Sequence, residues 1–125
     1  MRKAINAEGA SSAVPFSQAI DSDGLVFLSG QTPVDPATGQ LVKGDIAVQT
    51  RQVFANLFTV LQACGLTPDD VQKVTVFLTD IGNFAAMNEV YKEQFTKPYP
   101  ARTTLGVAAL PIGAEIEIEL IAKRP

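Results

Sequence analysis

The run Glu115-Ile116-Glu117-Ile118-Glu119-Leu120 constrains this chain more than any other stretch. Carboxylates and apolar side chains alternate, so in a strand the three glutamates share one face and Ile116, Ile118 and Leu120 the other, the pattern of a half-buried strand. Just before it, Ala101 to Val107 reads as another strand, with Arg102, Thr104 and Gly106 on one face and Thr103, Leu105 and Val107 on the other. Leu110-Pro111-Ile112-Gly113 supplies the Pro and Gly of a tight connection. The spacing therefore predicts an antiparallel pair that sets Arg102 opposite Glu115, Glu117 or Glu119. On spacing alone this is a solvated ion pair on a sheet surface, worth at most about 1 kcal/mol.

The rest of the chain supplies the partners. Val14 to Ile20 reads as a short first strand, with Asp21-Ser22-Asp23-Gly24 as its turn, and Leu25 to Gln31 as a second. After the turn sequence Asp35-Pro36-Ala37-Thr38-Gly39, Gln40-Leu41-Val42 is expected to return beside the second strand. Asp45 is placed to cap a helix running to Cys64, with Ile46, Val53, Leu57, Leu61 and Cys64 on its apolar side and Gly65 and Pro68 ending it. Lys73 to Leu78 forms the next strand, and Asn83 caps a second helix from Phe84 to Phe95, whose apolar line is Phe84, Met87, Tyr91 and Phe95.

Three strands, helix, strand, helix and two strands make an α+β arrangement with both helices packed on one face of a sheet. Val26, Leu28, Val74, Val76, Ile116, Ile118 and Leu120 are expected beneath the helices. Phe27, Ser29, Gln31, Thr75, Phe77, Arg102, Thr104 and Glu117 are expected on the uncovered side. That side mixes polar groups with too much apolar area for plain solvent, so other copies of the chain are expected to bury it, with a polar pocket where they meet.

Composition limits the chemistry. With 125 residues the chain, 1–125, is read as a single domain. Ten basic against thirteen acidic residues give a net charge of −3, which disfavours nucleic acid as a partner. No secretory signal and no bilayer-spanning apolar run is visible, and one cysteine, Cys64, allows no intrachain disulfide, so the cytoplasm is the expected compartment. Cys64 reads as a small buried residue of the helix. The chain has no histidine, which removes His-based triads, HExxH zinc sites and His-assisted thiol nucleophiles. No GxxxxGK[ST] or GxGxxG motif occurs. Catalysis is left with carboxylate, arginine, hydroxyls, backbone groups and water.

Four segments in register carry a resemblance: Leu28-Ser29-Gly30-Gln31-Thr32-Pro33, Asp35-Pro36-Ala37-Thr38-Gly39, Pro100-Ala101-Arg102-Thr103-Thr104 and Ile116-Glu117-Ile118-Glu119. Together they resemble the Rid family, also called YjgF or L-PSP proteins. The resemblance implies a chorismate-mutase-like α+β subunit, with a mixed sheet and two helices on one face, assembling as a homotrimer with clefts between subunits. It implies hydrolysis of 2-iminobutanoate and 2-iminopropanoate to 2-oxo acids and ammonia, without metal or cofactor. Arg102 matches the arginine that holds the substrate carboxylate and Glu117 the glutamate near the attacking water. Ser29, Gly30 and Gln31 match the segment lining the cleft, and Phe84 and Asn88 match helix positions approaching it from a neighbour. Phe16 stands where many members carry tyrosine, and Thr104 where many carry cysteine. Two other readings are a non-catalytic protein that binds 2-oxo acids or related carboxylates, and an L-PSP-type endoribonuclease. The acidic pI and lack of an aromatic-basic strip speak against the second.

Overall fold

The structure, a computed structural model, describes residues 1–10 and 13–125. Its elements are β1 (Lys3–Ile5), β2 (Ala19–Ser22), β3 (Leu25–Gln31), β4 (Val34–Asp35), β5 (Gln40–Leu41), α1 (Ile46–Ala63), β6 (Val71–Leu78), α2 (Phe84–Gln94), β7 (Ala101–Gly106) and β8 (Ile116–Lys123). Six strands form one sheet in the order β1-β2-β3-β8-β6-β7, with every pair antiparallel except β6 and β7. The expected α+β architecture, a mixed sheet with two helices, is what the chain adopts.

Helix α1 forms where the cap and the apolar stripe place it. Asp45 Oδ1 accepts from the Val48 amide, satisfying one of the donors that a helix start leaves open. At the other end Gly65 takes a left-handed φ of 73°, which lets Leu66 bond back to the Leu61 carbonyl. Val53, Phe54, Leu57 and Leu61 are buried against Val26, Leu28, Val74, Val76, Ile118 and Leu120, the alternate residues of the central strands. At the start of α2 Asn83 makes no side-chain cap; Asp80 instead accepts from the Gly82 amide in the short 3-10 turn leading in.

The C-terminal hairpin is corrected. Strands β7 and β8 are not neighbours, because β6 lies between them, paired parallel to β7 and antiparallel to β8. A strand, a helix and a strand in succession favour a parallel crossover, and here β6-α2-β7 is that unit. The Pro and Gly near 110–113 make a 3-10 turn within a longer connection that crosses β6. The expected Arg102–glutamate cross-strand pair therefore does not exist within one chain.

Register also moves three side chains to the other face. Residues directly opposite in neighbouring strands share a face. Arg102 lies opposite Val74 and Thr104 opposite Val76, both wholly buried beneath the helices, so Arg102 and Thr104 are on the covered side and not the open one. Between Leu28–Leu120 and Gln31–Ile118, the two residues Ser29 and Gly30 oppose Glu119 alone, a β-bulge that shifts the alternation. Gln31 consequently falls opposite the buried Ile118 and lines a small cavity with Asn56, Thr59 and Val60 of α1. Phe27, Thr75, Phe77 and Glu117 keep their expected alternate positions on the open face.

Three smaller expectations also change. Residues Val14 to Phe16 form bends, with strand β2 starting only at Ala19, and the three-residue β1 pairs alongside it. The turn narrows to Asp23-Gly24, both at positive φ, while Asp21 Oδ1 accepts from the Gly24 amide. β5 pairs with β4 in a separate ribbon and does not return beside β3. Among the described residues no helix is long and apolar enough to cross a membrane.

Candidate functional site

Arg102 sits on β7, the last strand of the sheet, with α2 lying over it. Helical spacing stacks Phe84, Asn88 and Tyr91 along one side of α2, because residues three and four apart are surface neighbours. All three reach the guanidinium. Arg102 Nη1 donates to Asn88 Oδ1 at 2.6 Å, and its central carbon lies 4.5 Å from the Tyr91 ring centroid and 5.4 Å from that of Phe84. A cavity of about 410 Å³ opens beside it, lined by Asn88, Tyr91, Lys92, Tyr99, Pro100 and Arg102.

The partners of Arg102 are all neutral. The ion pairs among the described residues are Arg51–Glu93, Lys92–Glu89 and Arg124–Asp21, so among them no carboxylate balances this guanidinium. An amide oxygen and two π faces hold a cation in place without cancelling its charge. Asn88 thus holds the arginine through its oxygen. Two buried hydroxyls complete this layer: Thr104 Oγ1 and the Tyr91 hydroxyl have no hydrogen-bond partner among the described residues. Burial pushes the Tyr91 pKa up to about 12, so the phenol stays neutral.

Glu117 belongs to the opposite face. It lies across from Phe77, half-buried, and burial together with the nearby Glu119 charge pushes its carboxyl above the usual value. Gly30 makes room for it: a Cβ at that position would overlap the Glu117 carboxylate, so a larger residue there would push that carboxylate out of its present place, while no special φ is involved. Ser29 is tied down, with its Oγ donating to the Ser17 carbonyl at 2.6 Å and its amide donating to the Gln18 carbonyl at 2.9 Å. Those bonds draw the 16–18 segment alongside the bulge, and Phe16 stands next to it with 58% of its surface exposed.

The chain therefore gathers the anticipated residues into two groups. Arg102, Phe84, Asn88 and Thr104 lie in the layer between β7 and α2. Glu117, Gly30, Ser29 and the Phe16 segment lie around the β3 bulge and the open face of β8, two strand spacings or about 10 Å across the sheet. Gln31 joins neither, since the bulge turns it toward α1. Helical spacing also marks Tyr91 as more than part of an apolar line, since its separation from Asn88 and Phe84 puts it on the same helical side. No group of three or more His, Cys, Asp or Glu side chains converges as a metal site among the described residues.

Comparison with known proteins gives this geometry its setting. The family model described as "Endoribonuclease L-PSP" matches residues 6–124. The chain belongs to the Rid/L-PSP family. It is 49% identical to a RutC family protein of Pyrococcus horikoshii, covering 98% of both chains. It is 44% identical to the 2-iminobutanoate/2-iminopropanoate deaminase of Bos taurus, covering 98% of this chain and 90% of the other. The crystal structure of the E. coli YjgF gene product superposes with a TM-score of 0.90 at 40% identity, over 98% of this chain and 99% of that one. Within this Rid/L-PSP chain Phe16 and Thr104 have different surroundings: Phe16 is exposed beside the bulge, and Thr104, two residues along β7 from Arg102, has its hydroxyl buried.

Proposed function

We propose that this chain hydrolyses reactive 2-imino acids, such as 2-iminobutanoate and 2-iminopropanoate, to 2-oxo acids and ammonia. The observation that carries the reading is a fixed guanidinium with no carboxylate of its own. A 2-imino acid brings a planar carboxylate, which a guanidinium grips through two parallel hydrogen bonds, and that grip fixes the adjacent C=N carbon. Water adds to this carbon as the C=N π pair moves onto nitrogen. Glu117 takes a proton from the adding water and passes it to nitrogen, giving a carbinolamine; the hydroxyl proton then follows by the same carboxylate to nitrogen as the C–N bond breaks, so ammonia leaves and the carbonyl of the 2-oxo acid forms. A carboxylate whose proton affinity is raised by burial is a better base for that step than an ordinary one.

Arg102 and Glu117 occupy opposite faces of one sheet, so the reaction needs Arg102 from one copy and Glu117 from another. A closed ring of three copies repeats one such contact three times and leaves three equivalent clefts. Phe27 and Leu105, both partly exposed on the open face, would lose solvent in that homotrimer. The site thereby takes Ser29, Gly30 and the Phe16 segment with Glu117, and Phe84, Asn88 and Thr104 with Arg102.

The test couples the protein to threonine dehydratase and times 2-oxobutanoate release. Arg102→Ala and Glu117→Gln each remove the acceleration, while co-assembling the two inactive variants restores it in about one quarter of the clefts, where both native residues meet. Unchanged acceleration by Arg102→Ala would rule out the anchor. Binding of 2-oxobutanoate without any acceleration would instead mark a carboxylate-binding protein. The endoribonuclease wording of the family model is met by a single-stranded RNA cleavage assay; at a net charge of −3 no cleavage dependent on Arg102 is expected.

A further inference from the structure

We infer that Tyr91 is a positioning residue for Arg102, its ring face setting the plane in which the guanidinium meets a carboxylate. The inference rests on the reading of Arg102 as the carboxylate anchor and names what aims it. A single hydrogen bond to Asn88 fixes one nitrogen but leaves the guanidinium free to turn about that bond. A ring face beneath it removes that freedom, because the attraction of a cation to a π face is strongest directly over the ring. Of the two rings available, that of Tyr91 is nearer, at 4.5 Å against 5.4 Å for Phe84.

Tyr91 is also the ring that cannot yield. Its residue is 5% exposed, whereas Phe84 at the start of α2 is 38% exposed. The Tyr91 ring packs edge-on against Phe54, with centroids 5.7 Å apart and planes at 71°, and lies 5.2 Å from Phe95. Close-packed aromatic neighbours hold its orientation, and it transmits that orientation to the arginine. A guanidinium held flat before the ligand arrives loses less freedom when it closes on a carboxylate.

The hydroxyl separates this role from ordinary packing. It is buried and has no partner among the described residues, and a buried donor left unpaired costs stability. Phenylalanine keeps the ring face and removes that cost. Leucine fills much of the volume and removes the face. The two substitutions therefore split function from stability in opposite directions.

The experiment titrates 2-oxobutanoate into the assembled protein by calorimetry and measures imine hydrolysis against semicarbazide trapping, for Tyr91→Leu, Tyr91→Phe and the control Phe58→Leu. Phe58 belongs to the same aromatic cluster but packs on Phe54 and Phe95, away from Arg102. Tyr91→Leu is expected to weaken 2-oxobutanoate binding by about fivefold or more. Tyr91→Phe should bind as the parent does and melt no lower, while Phe58→Leu should melt lower with binding unchanged. Parental binding by Tyr91→Leu, equal weakening in Phe58→Leu, or equal weakening in Tyr91→Phe would each overturn the assignment. Should the leucine variant not fold, the unaltered protein decides: Arg102 side-chain N–H proton resonances are displaced upfield by the ring beneath them, and ordinary shifts would overturn the stacking. Undiminished 2-oxobutanoate binding by Arg102→Ala would overturn the anchor reading itself, and the resonance measurement keeps that failure distinct.

Discussion

Two arginines in this molecule sit in comparably sheltered places and have opposite company. Arg124, just past the end of β8, donates through Nε to Asp21 at 2.8 Å and through Nη1 to the Cys64 carbonyl at 2.7 Å. Its charge is matched and its donors reach groups that need them, including a carbonyl at the open end of α1. The effect is to tie the last strand to the β2–β3 turn and the helix. Arg102 touches an amide oxygen and two rings, and no carboxylate. A matched arginine joins parts of the fold, whereas an unmatched one that is still held in place has charge to offer a ligand. The surrounding space says the same in reverse: a concavity of about 890 Å³ near Arg124 is larger than the one near Arg102, yet Arg124, half-buried where Arg2 and Lys3 are exposed, is already paired to Asp21.

The comparison breaks most sharply at Arg102 itself. Arg102→Ala should lower coupled imine hydrolysis by about a thousandfold or more, since both positioning and charge go with it, while its elution volume in size-exclusion chromatography should match that of the parent. Arg124→Ala should do the converse, lowering the melting temperature by several degrees and leaving turnover within about twofold. A large loss of turnover in Arg124→Ala with native melting would erase the distinction drawn here.

Glu117→Gln tests the group proposed to act opposite Arg102. It should reduce turnover by about a hundredfold, the lower range for a lost general base. Its effect on stability has the other sign. The folded-state pKa of Glu117 is raised, so the folded chain binds more protons than the unfolded one just above the ordinary glutamate value, and the parent loses stability as pH rises through that window. The variant should therefore melt higher than the parent at neutral pH and lose that advantage below the window.

Asp21 behaves oppositely, because the hydrogen bond from Arg124 and the Gly24 amide hold its pKa below the usual carboxylate value. Its contribution is complete above the ordinary value and is lost as pH falls through the depressed one. Melting curves of Asp21→Asn and the parent should accordingly separate near neutrality and converge in acid. The smallest effect is expected at Thr104. Thr104→Val removes a buried hydroxyl with no partner among the described residues and should raise stability by about 1 kcal/mol in denaturant unfolding.

Much of this architecture is legible from residue order. Helix α1 is announced by Asp45, an apolar stripe and Gly65, and the alternation in β8 states which of its side chains must be dry, because both signals depend on neighbours in the chain. The site is legible through motifs: Arg102, Glu117, Ser29 and Gly30 stand out by resemblance. Their grouping is not. Alternation tells which residues share a face within one strand but not which face of the sheet that is, and only pairing with Val74 and Val76 puts Arg102 and Thr104 under α2 and not on the open side. A turn signal at 110–113 outweighed the strand-helix-strand order that demanded a parallel crossover, and a bulge with no mark beyond its Gly30 carried Gln31 across the sheet.

The chain's own order of residues determined its two helices, its long strands with the dry faces of β6 and β8, and an inventory of chemistry confined to arginine, carboxylate and hydroxyl. Tertiary structure alone decided that β6 separates β7 from β8, that Arg102 is held by Asn88 and Tyr91, and that Glu117 lies on the other side of the sheet. The reason is physical: capping and periodicity are properties of contiguous residues, whereas register and strand order arise from pairing between segments distant along the chain.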